Sequence, residues 1–107
     1  MGQDAEQPSQ DRLSEARARL AALRDLQAAL FDSLTQTAEA IAQTEDKSAE
    51  AHDAMAAHLP GSAEHAARTR RFAAAERGAA SAYRNHEVPP EDVRRAIRES
   101  RPNADGQ

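Results

Sequence analysis

Residues 9–59 form a run of 51 residues that contains neither proline nor glycine. Because these two residue types are the strongest helix breakers, the run predicts a single helix, which at about 1.5 Å per residue would be roughly 75 Å long. Apolar residues recur along it at a seven-residue spacing, as in helices that pack against other helices. The run therefore predicts a coiled coil or a helical bundle, in which the apolar seam needs a covering partner.

Only the first half of this seam is rich in large apolar residues. With Leu13 at heptad position a, leucine or isoleucine holds most a and d positions up to Ile41, and small or polar residues follow, apart from Met55. Leu26 and Phe31 widen the stripe, which favours a bundle over a two-stranded zipper. We expect an interaction surface made of Leu13, Leu20, Leu23, Leu26, Leu30, Phe31 and Leu34.

Two groups of helix breakers interrupt the rest of the chain. Pro60 cannot continue a helix, Gly61 can adopt a positive φ, and Ser62 is a good N-cap, so a tight turn is predicted there. Pro89 and Pro90 separate a second helix from a third. The fold class is therefore all-α: a long helix, a returning helix that forms an antiparallel αα-hairpin with it, and a short third helix, in coiled-coil or bundle packing. The predicted helices cover about residues 10–59, 63–86 and 90–100, in a single helical domain at 10–101 between disordered ends at 1–9 and 102–107.

Two details of these helices are open to test. Residues 44–48 are all polar, so the first helix is most open to a break there. On the second helix, Ala74, Gly78 and Ala82 recur every four residues, which would let a neighbouring backbone approach closely. The heptad of this helix predicts a seam that contains His65, Arg68, Phe72, Ala75, Ala79, Ala82 and His86.

Alanine takes the place of large apolar residues in this chain. It occurs 26 times, whereas leucine, isoleucine, valine and phenylalanine together number 13. Alanine favours helices but buries little surface, so helices built from it must approach closely, and the chain is expected to be marginal alone or stabilised by oligomerisation. Charge supports the hairpin, since residues 25–59 carry seven acids and one lysine, and residues 60–101 carry nine arginines and six acids. Exposed pairs of this kind set orientation more than stability.

No residue pattern predicts an active site, and we expect a protein that is not an enzyme. The chain has no cysteine, which excludes disulfides, thiolate metal sites and thiol nucleophiles. Two of its four histidines, His52 and His58, are six residues apart and diverge on a helix, whereas His58 and His65 flank the turn and are expected to approach each other. We expect solvated histidines and neither a metal nor a cofactor.

Arg70, Arg77 and Arg84 repeat every seven residues on the second helix, opposite its small apolar residues. Such a stripe is typical of a solvent-exposed helix face, and it would also suit an acidic partner or a nucleic acid. Against nucleic acid stand the net charge of −4, the single lysine and the three aromatic residues. An arginine-faced accessory protein that binds nucleic acid is therefore a minor alternative.

A second alternative comes from the turn and the end of the second helix. Leu59, Pro60 and Gly61 occupy the turn, and Tyr83 and Glu87 stand four residues apart near the end of the second helix. In these features the chain resembles the small helical hairpins of type VII secretion, which carry Trp-x-Gly in the turn and whose secreted partners carry Tyr-x-x-x-Asp/Glu. The resemblance implies export and a similar hairpin as partner.

The chain offers no targeting or membrane signal. Its first ten residues are polar and acidic, without a basic start or an apolar stretch, so no secretory signal is expected. No apolar run approaches the ~20 residues that a membrane-spanning helix needs. We expect a cytoplasmic protein, with export without a cleavable signal as the alternative. The excess of arginine over lysine, with the alanine bias, suggests a GC-rich bacterial genome.

Helix lengths indicate which part of the seam stays uncovered. A returning helix of about 23 residues reaches only residues 36–59 of the first helix, so residues 13–34 lack a partner within the chain. The third helix adds only Val93 and Ile97 as large apolar residues. The leading hypothesis is a non-enzymatic interaction protein that self-associates as a homo-oligomer, or docks a helical protein partner, through the leucine-rich seam.

Overall fold

The computed structural model describes the backbone of residues 2–101 and the side chains of residues 9–101. The chain folds into three helices, α1 (Gly2–Met55), α2 (Ser62–Arg84) and α3 (Glu91–Ser100), and these described residues contain no strand. The predicted all-α hairpin with a short third helix is confirmed. Contacts divide the chain into two compact units, Met1–Leu30 and Phe31–Gln107.

The ends of α1 differ from the predicted ones. The helix begins at Gly2, although a disordered segment was expected at residues 1–9 and a helix from about residue 10. Residue 1 and the disordered tail expected at residues 102–107 lie outside the described residues. Within the helix, the polar residues 44–48 cause no break, and the Thr44 hydroxyl donates a hydrogen bond of 3.1 Å to the carbonyl of Ala40.

The hairpin turn forms around Gly61, whose φ is +85°. Helix α1 ends at Met55, four residues before its predicted end. The chain still makes hydrogen bonds of 2.9 Å from the amides of His58 and Leu59 to the carbonyl of Met55. The N-cap of α2 is Gly61 and not the predicted Ser62, which is buried in the first turn of the helix.

Helix α2 ends in a Schellman motif that the sequence reasoning missed. His86 has a φ of +58°, a left-handed conformation that glycine or asparagine usually occupies at this position. The amide of His86 donates a hydrogen bond of 2.9 Å to the carbonyl of Tyr83, and the amide of Glu87 donates one of 2.8 Å to the carbonyl of Ala82. Pro90, the predicted first helical position, instead serves as the N-cap of α3, so this helix begins one residue later than predicted.

The core of the second unit is built from alanine. Apart from Pro89, every buried apolar residue in the described part of the chain is an alanine. On α1, the side that packs in the hairpin is a row of buried or half-buried residues whose spacing alternates between four and three. These residues are Phe31, Thr35, Ala38, Ala42, Glu45, Ala49 and His52.

This seam lies one residue further along the heptad than predicted. The expected d positions Thr37, Thr44, Ala51 and His58 are all exposed, so the predicted register is wrong in this half of α1. Alanine or threonine occurs both at the predicted d positions and at the b and e positions that are buried instead. A pattern based on large apolar residues therefore carries no information about its register.

Helix α2 has two buried faces. One repeats at spacings of four and three and contains Ser62, Ala66, Thr69, Ala73, Glu76 and Ala80. The other contains Ala75, Ala79 and Ala82, three residues of the predicted seam, whereas Arg68 and His86 are exposed. Helices α2 and α3 are in contact, and Gly78 lies beside Val93, where an added Cβ would come within 3.4 Å of a Val93 methyl. The neighbour of Gly78 is thus a side chain of α3 and not the closely approaching backbone that the spacing predicted.

Candidate helix-docking face

Five leucines of the first unit lie on one side of α1 and are exposed. Their exposed fractions run from 48% at Leu20 to 66% at Leu26. Residues three, four or seven apart lie on the same side of a helix, which is why leucines at these spacings form a continuous strip. We call this strip the leucine face: Leu13, Leu20, Leu23, Leu26 and Leu30.

The remaining two residues of the predicted interface belong to the second unit. Phe31 and Leu34 are both half-buried. The Phe31 ring stacks on the His86 ring, with centroids 4.9 Å apart and an angle of 11° between the rings, and it lies 6.4 Å from the Tyr83 ring. The end of α2 therefore reaches Phe31, further than the residue 36 expected from helix lengths. Phe31 thus packs within the hairpin and does not belong to the leucine face.

Charged residues are distributed unevenly around the leucine face. Its flanking e and g positions hold four exposed arginines, and the three acids of this stretch lie on other sides of the helix. Arg19 forms an ion pair with Glu15 at 3.9 Å, and both side chains are at least two-thirds exposed. An exposed pair at this distance contributes little. The flanking arginines are Arg12, Arg17, Arg19 and Arg24.

The arginine stripe of α2 is paired within the hairpin. Each of its three arginines donates a hydrogen bond to a carboxylate of α1, and each step of seven residues forward on α2 is a step of seven back on α1. The expected charge complementarity between the two helices is therefore confirmed. We call this set the arginine ladder: Arg70 with Asp53, Arg77 with Asp46, and Arg84 with Glu39.

Because of the ladder, the arginines of the α2 stripe bind carboxylates within the chain. The hydrogen bond from Arg77 lowers the pKa of Asp46 below its ordinary value, and the hydrogen bond from Arg70 does the same to the pKa of Asp53. The sequence pattern of Arg70, Arg77 and Arg84 also suits an anionic partner. With their guanidinium groups already hydrogen-bonded to carboxylates, little positive charge is left for such a partner.

Two glutamates lie in the hairpin core, a feature that the sequence reasoning missed. Glu76 is only 5% exposed, and the Oε2 atom of Glu45 is buried without a hydrogen-bond partner. Burial raises the pKa of both carboxyl groups, and the negative charge of Glu76 raises the pKa of Glu45 further. Both residues occupy the heptad positions of buried alanines, so a correct register would have placed them in the core.

The histidines do not assemble as predicted. His65 lies against His52, with ring centroids 4.0 Å apart, rather than against His58. Among the described residues, no group of three or more histidine, cysteine, aspartate or glutamate side chains could hold a metal ion. The motif of the secretion resemblance lies at the end of α2, where Tyr83 is half-buried in the last turn and the exposed Glu87 follows the left-handed His86.

Comparison of the chain with protein-family models, with curated proteins and with solved structures finds no match. A search of the described residues for a helix long and apolar enough to cross a bilayer finds none. The distinguishing feature of the first unit is its own geometry, a strip of exposed leucines flanked by arginines.

Proposed function

We propose that this chain is a non-enzymatic helix-docking protein that binds another helix on the leucine face. The observation that carries the proposal is that small apolar residues are buried while the large ones of the first unit are exposed. The core of the second unit is alanine, whereas Leu13, Leu20, Leu23, Leu26 and Leu30 are all about half exposed or more. The covering helix comes either from a second copy of the chain or from another protein.

The magnitude of the uncovered surface supports the proposal. Full burial of a leucine contributes about 1.5–3 kcal/mol, so covering a half-exposed leucine contributes about 1 kcal/mol. Five such residues give roughly 5 kcal/mol from this side of an interface, and a matching seam on the partner gives a similar amount. Burying one methyl group of an alanine core contributes only about 0.8 kcal/mol. The leucine face thus offers as much apolar stabilisation as several core residues.

The arginine ladder supports protein docking over the nucleic-acid alternative. Arg70, Arg77 and Arg84 each hydrogen-bond a carboxylate of α1, and nucleic-acid binding needs arginines that can neutralise phosphates. The exposed leucines also have no role in phosphate binding. They have one in covering a helix seam.

The proposal is tested with a neutral helical probe. A fluorescently labelled peptide of four heptads, with leucine at a and d and glutamine at e and g, is held at nanomolar concentration and titrated with the protein. Anisotropy should rise on binding, and light scattering on the protein alone should detect self-association. The double variant Leu20→Glu/Leu23→Glu should weaken either interaction at least about tenfold, because it places charges in the seam.

A matched variant controls for the added charge. Ala18 and Ala22 are exposed residues away from the leucine face, so Ala18→Glu/Ala22→Glu should leave binding unchanged. Circular dichroism checks that both double variants remain helical. A protein that stays monomeric at every concentration and binds no leucine-seam peptide would refute the proposed function.

A further inference from the structure

We infer that the helix that binds the leucine face is acidic, with glutamate or aspartate on both sides of its own apolar seam. The inference rests on the proposed function and names the chemistry of the partner. It follows from the charges beside the leucine face, from the pairing rule that the hairpin of this chain already uses, and from the poor fit of a second copy.

The two sides of the leucine face carry arginine and no acid over the described residues 12–24. Arg12 and Arg19 occupy g positions, and Arg17 and Arg24 occupy e positions, all of them exposed. In coiled coils, residues at e and g lie next to the e and g residues of the partner and select it by charge. Carboxylates on the partner would therefore form ion pairs along both edges of the seam.

A second copy of the leucine face fits poorly. In a parallel pair, each g residue lies beside the e residue of the following heptad, which would bring Arg12 beside Arg17 and Arg19 beside Arg24 of the other copy. In an antiparallel pair, e lies beside e and g beside g, and arginine again meets arginine. Like charges at these positions discriminate against the pairing. Self-association through this face is thus the disfavoured case.

The hairpin provides the precedent for arginine–carboxylate pairing along a helix seam. There, three arginines of α2 pair with three acids of α1 at seven-residue intervals beside an alanine seam. Along α1 the sign reverses: the acids that pair with α2 belong to the second unit, and the arginines flank the seam of the first. A helix with the arginine stripe of α2 would therefore be repelled by the leucine face.

One polar seam residue adds to the description of the partner. Gln27 occupies an a position among the leucines and is exposed. Once the seam is covered, its amide group needs a hydrogen-bond partner, since a buried polar group without one is costly. We therefore expect a polar residue opposite Gln27, and such a pair fixes the register of two helices.

An anionic membrane is the competing surface for an apolar face flanked by arginines. Two features favour a helix. The leucine face lacks the tryptophan and phenylalanine that anchor interfacial helices, and its leucines keep the spacing of a heptad seam. Binding to vesicles is therefore included as an outcome of the test.

The test compares three labelled peptides that share one leucine seam of four heptads and a glutamine opposite Gln27. Their e and g positions carry glutamate, glutamine or lysine. At about 50 mM salt, the wild-type protein should bind the glutamate peptide at least about tenfold more tightly than the glutamine peptide, and the lysine peptide more weakly still. At about 500 mM salt the three affinities should converge, because screening weakens exposed ion pairs.

A charge-reversal variant makes the result specific to the leucine face. Changing the four flanking arginines to glutamate (R12E/R17E/R19E/R24E) should invert the order, so that the lysine peptide binds best. Because this variant gains a ligand, a folding defect cannot produce the result. The control variant Arg71→Glu/Arg95→Glu, with two exposed arginines changed outside the first unit, should keep the wild-type order.

The outcomes separate this inference from the proposed function. Equal binding of all three peptides would overturn the acidic partner and leave helix docking in place. Self-association that the glutamate peptide cannot displace would also overturn the acidic partner. So would leucine-dependent binding to phosphatidylglycerol vesicles that is tighter than binding to the glutamate peptide. If no peptide binds and the protein is monomeric, the proposed function itself fails.

Discussion

The two units of this chain use apolar residues in opposite ways along one helix. In the second unit, α1 contributes Ala38, Ala42 and Ala49 to a buried core, and in the first unit it exposes leucines such as Leu20 and Leu23. Small residues allow the helices of the hairpin to approach closely, whereas the large residues of the first unit leave an apolar surface that a separate helix can cover. The comparison teaches that residue size does not indicate burial here: the buried core is built from alanine, and five leucines of the first unit are exposed.

Overpacking the alanine core is the change that should distinguish the two units most strongly. Ala66 and Ala73 are completely buried, so Ala66→Leu or Ala73→Leu forces extra atoms into a close-packed seam and should cost about 1–3 kcal/mol or more. The opposite change, Leu23→Ala in the leucine face, should alter stability by no more than about 0.5 kcal/mol. Urea denaturation followed by circular dichroism measures both. An Ala73→Leu variant as stable as the wild type would refute the close-packed core.

The next largest effect is expected at the contact between α2 and α3, where a substitution should increase the free energy of unfolding. Gly78 costs about 1 kcal/mol of helix propensity relative to alanine. A Cβ at this position would lie 3.4 Å from Val93, which is ordinary van der Waals contact. Gly78→Ala should therefore stabilise the protein by about 0.5–1 kcal/mol in urea denaturation, whereas Gly78→Leu should destabilise it, because the longer side chain must displace Val93. Loss of stability in Gly78→Ala would mean that α3 packs too closely for any side chain.

The buried glutamates should make the hairpin more stable at mildly acidic pH. Folding raises the pKa of Glu45 and Glu76 above the ordinary value of 4.5, so their contribution is fully present below pH 4.5 and is lost as the pH rises through the folded values. Asp46 and Asp53 act in the opposite sense, because folding lowers their pKa below 3.8 and their contribution is lost only in more acidic solution. Thermal unfolding should therefore give a melting temperature that rises from pH 7 toward pH 5 and falls in strong acid.

Replacement of one of the two glutamates tests this assignment. Glu45→Gln should stabilise the protein at pH 7 by less than about 1 kcal/mol, since the carboxyl group is partly accessible to water, and should flatten the rise toward pH 5. The exposed Glu50 is the matched control, and Glu50→Gln should leave the pH dependence unchanged. A melting temperature that falls steadily from pH 7 to pH 5 would show that the buried carboxyl groups do not control it.

The same comparison explains how much of the molecule could be predicted from its sequence. Proline and glycine act locally, so Pro60 with Gly61 and Pro89 with Pro90 marked both interruptions, and the all-α hairpin followed from the helix lengths. The register of α1 against α2 did not follow, because alanines occur on both the buried and the exposed sides of this half of α1 and only the packed structure selects among them. Glu45 and Glu76 were missed for the same reason.

The candidate site divides in a similar way. The exposed leucines were predicted from the heptad pattern and from the length of the returning helix. The role of Phe31 was not predicted, because its ring stacks on His86. That histidine adopts a left-handed conformation, which its residue type does not indicate. Three-dimensional packing also decided which arginines have partners, since the stripe of α2 and the flanks of the leucine face look alike in the sequence.

The smallest expected effect separates these two groups of arginines. Arg77 belongs to the ladder and hydrogen-bonds Asp46, so Arg77→Glu should lower the melting temperature modestly, and the swap Asp46→Arg/Arg77→Glu should restore most of the loss. Arg24 flanks the leucine face, so Arg24→Glu should leave the melting temperature unchanged and weaken binding of the glutamate peptide. Thermal unfolding and anisotropy on the same variants measure both properties. If Arg77→Glu impaired binding as much as Arg24→Glu, the separation of an internal ladder from an external docking face would be wrong, because one set of arginines would then serve both units.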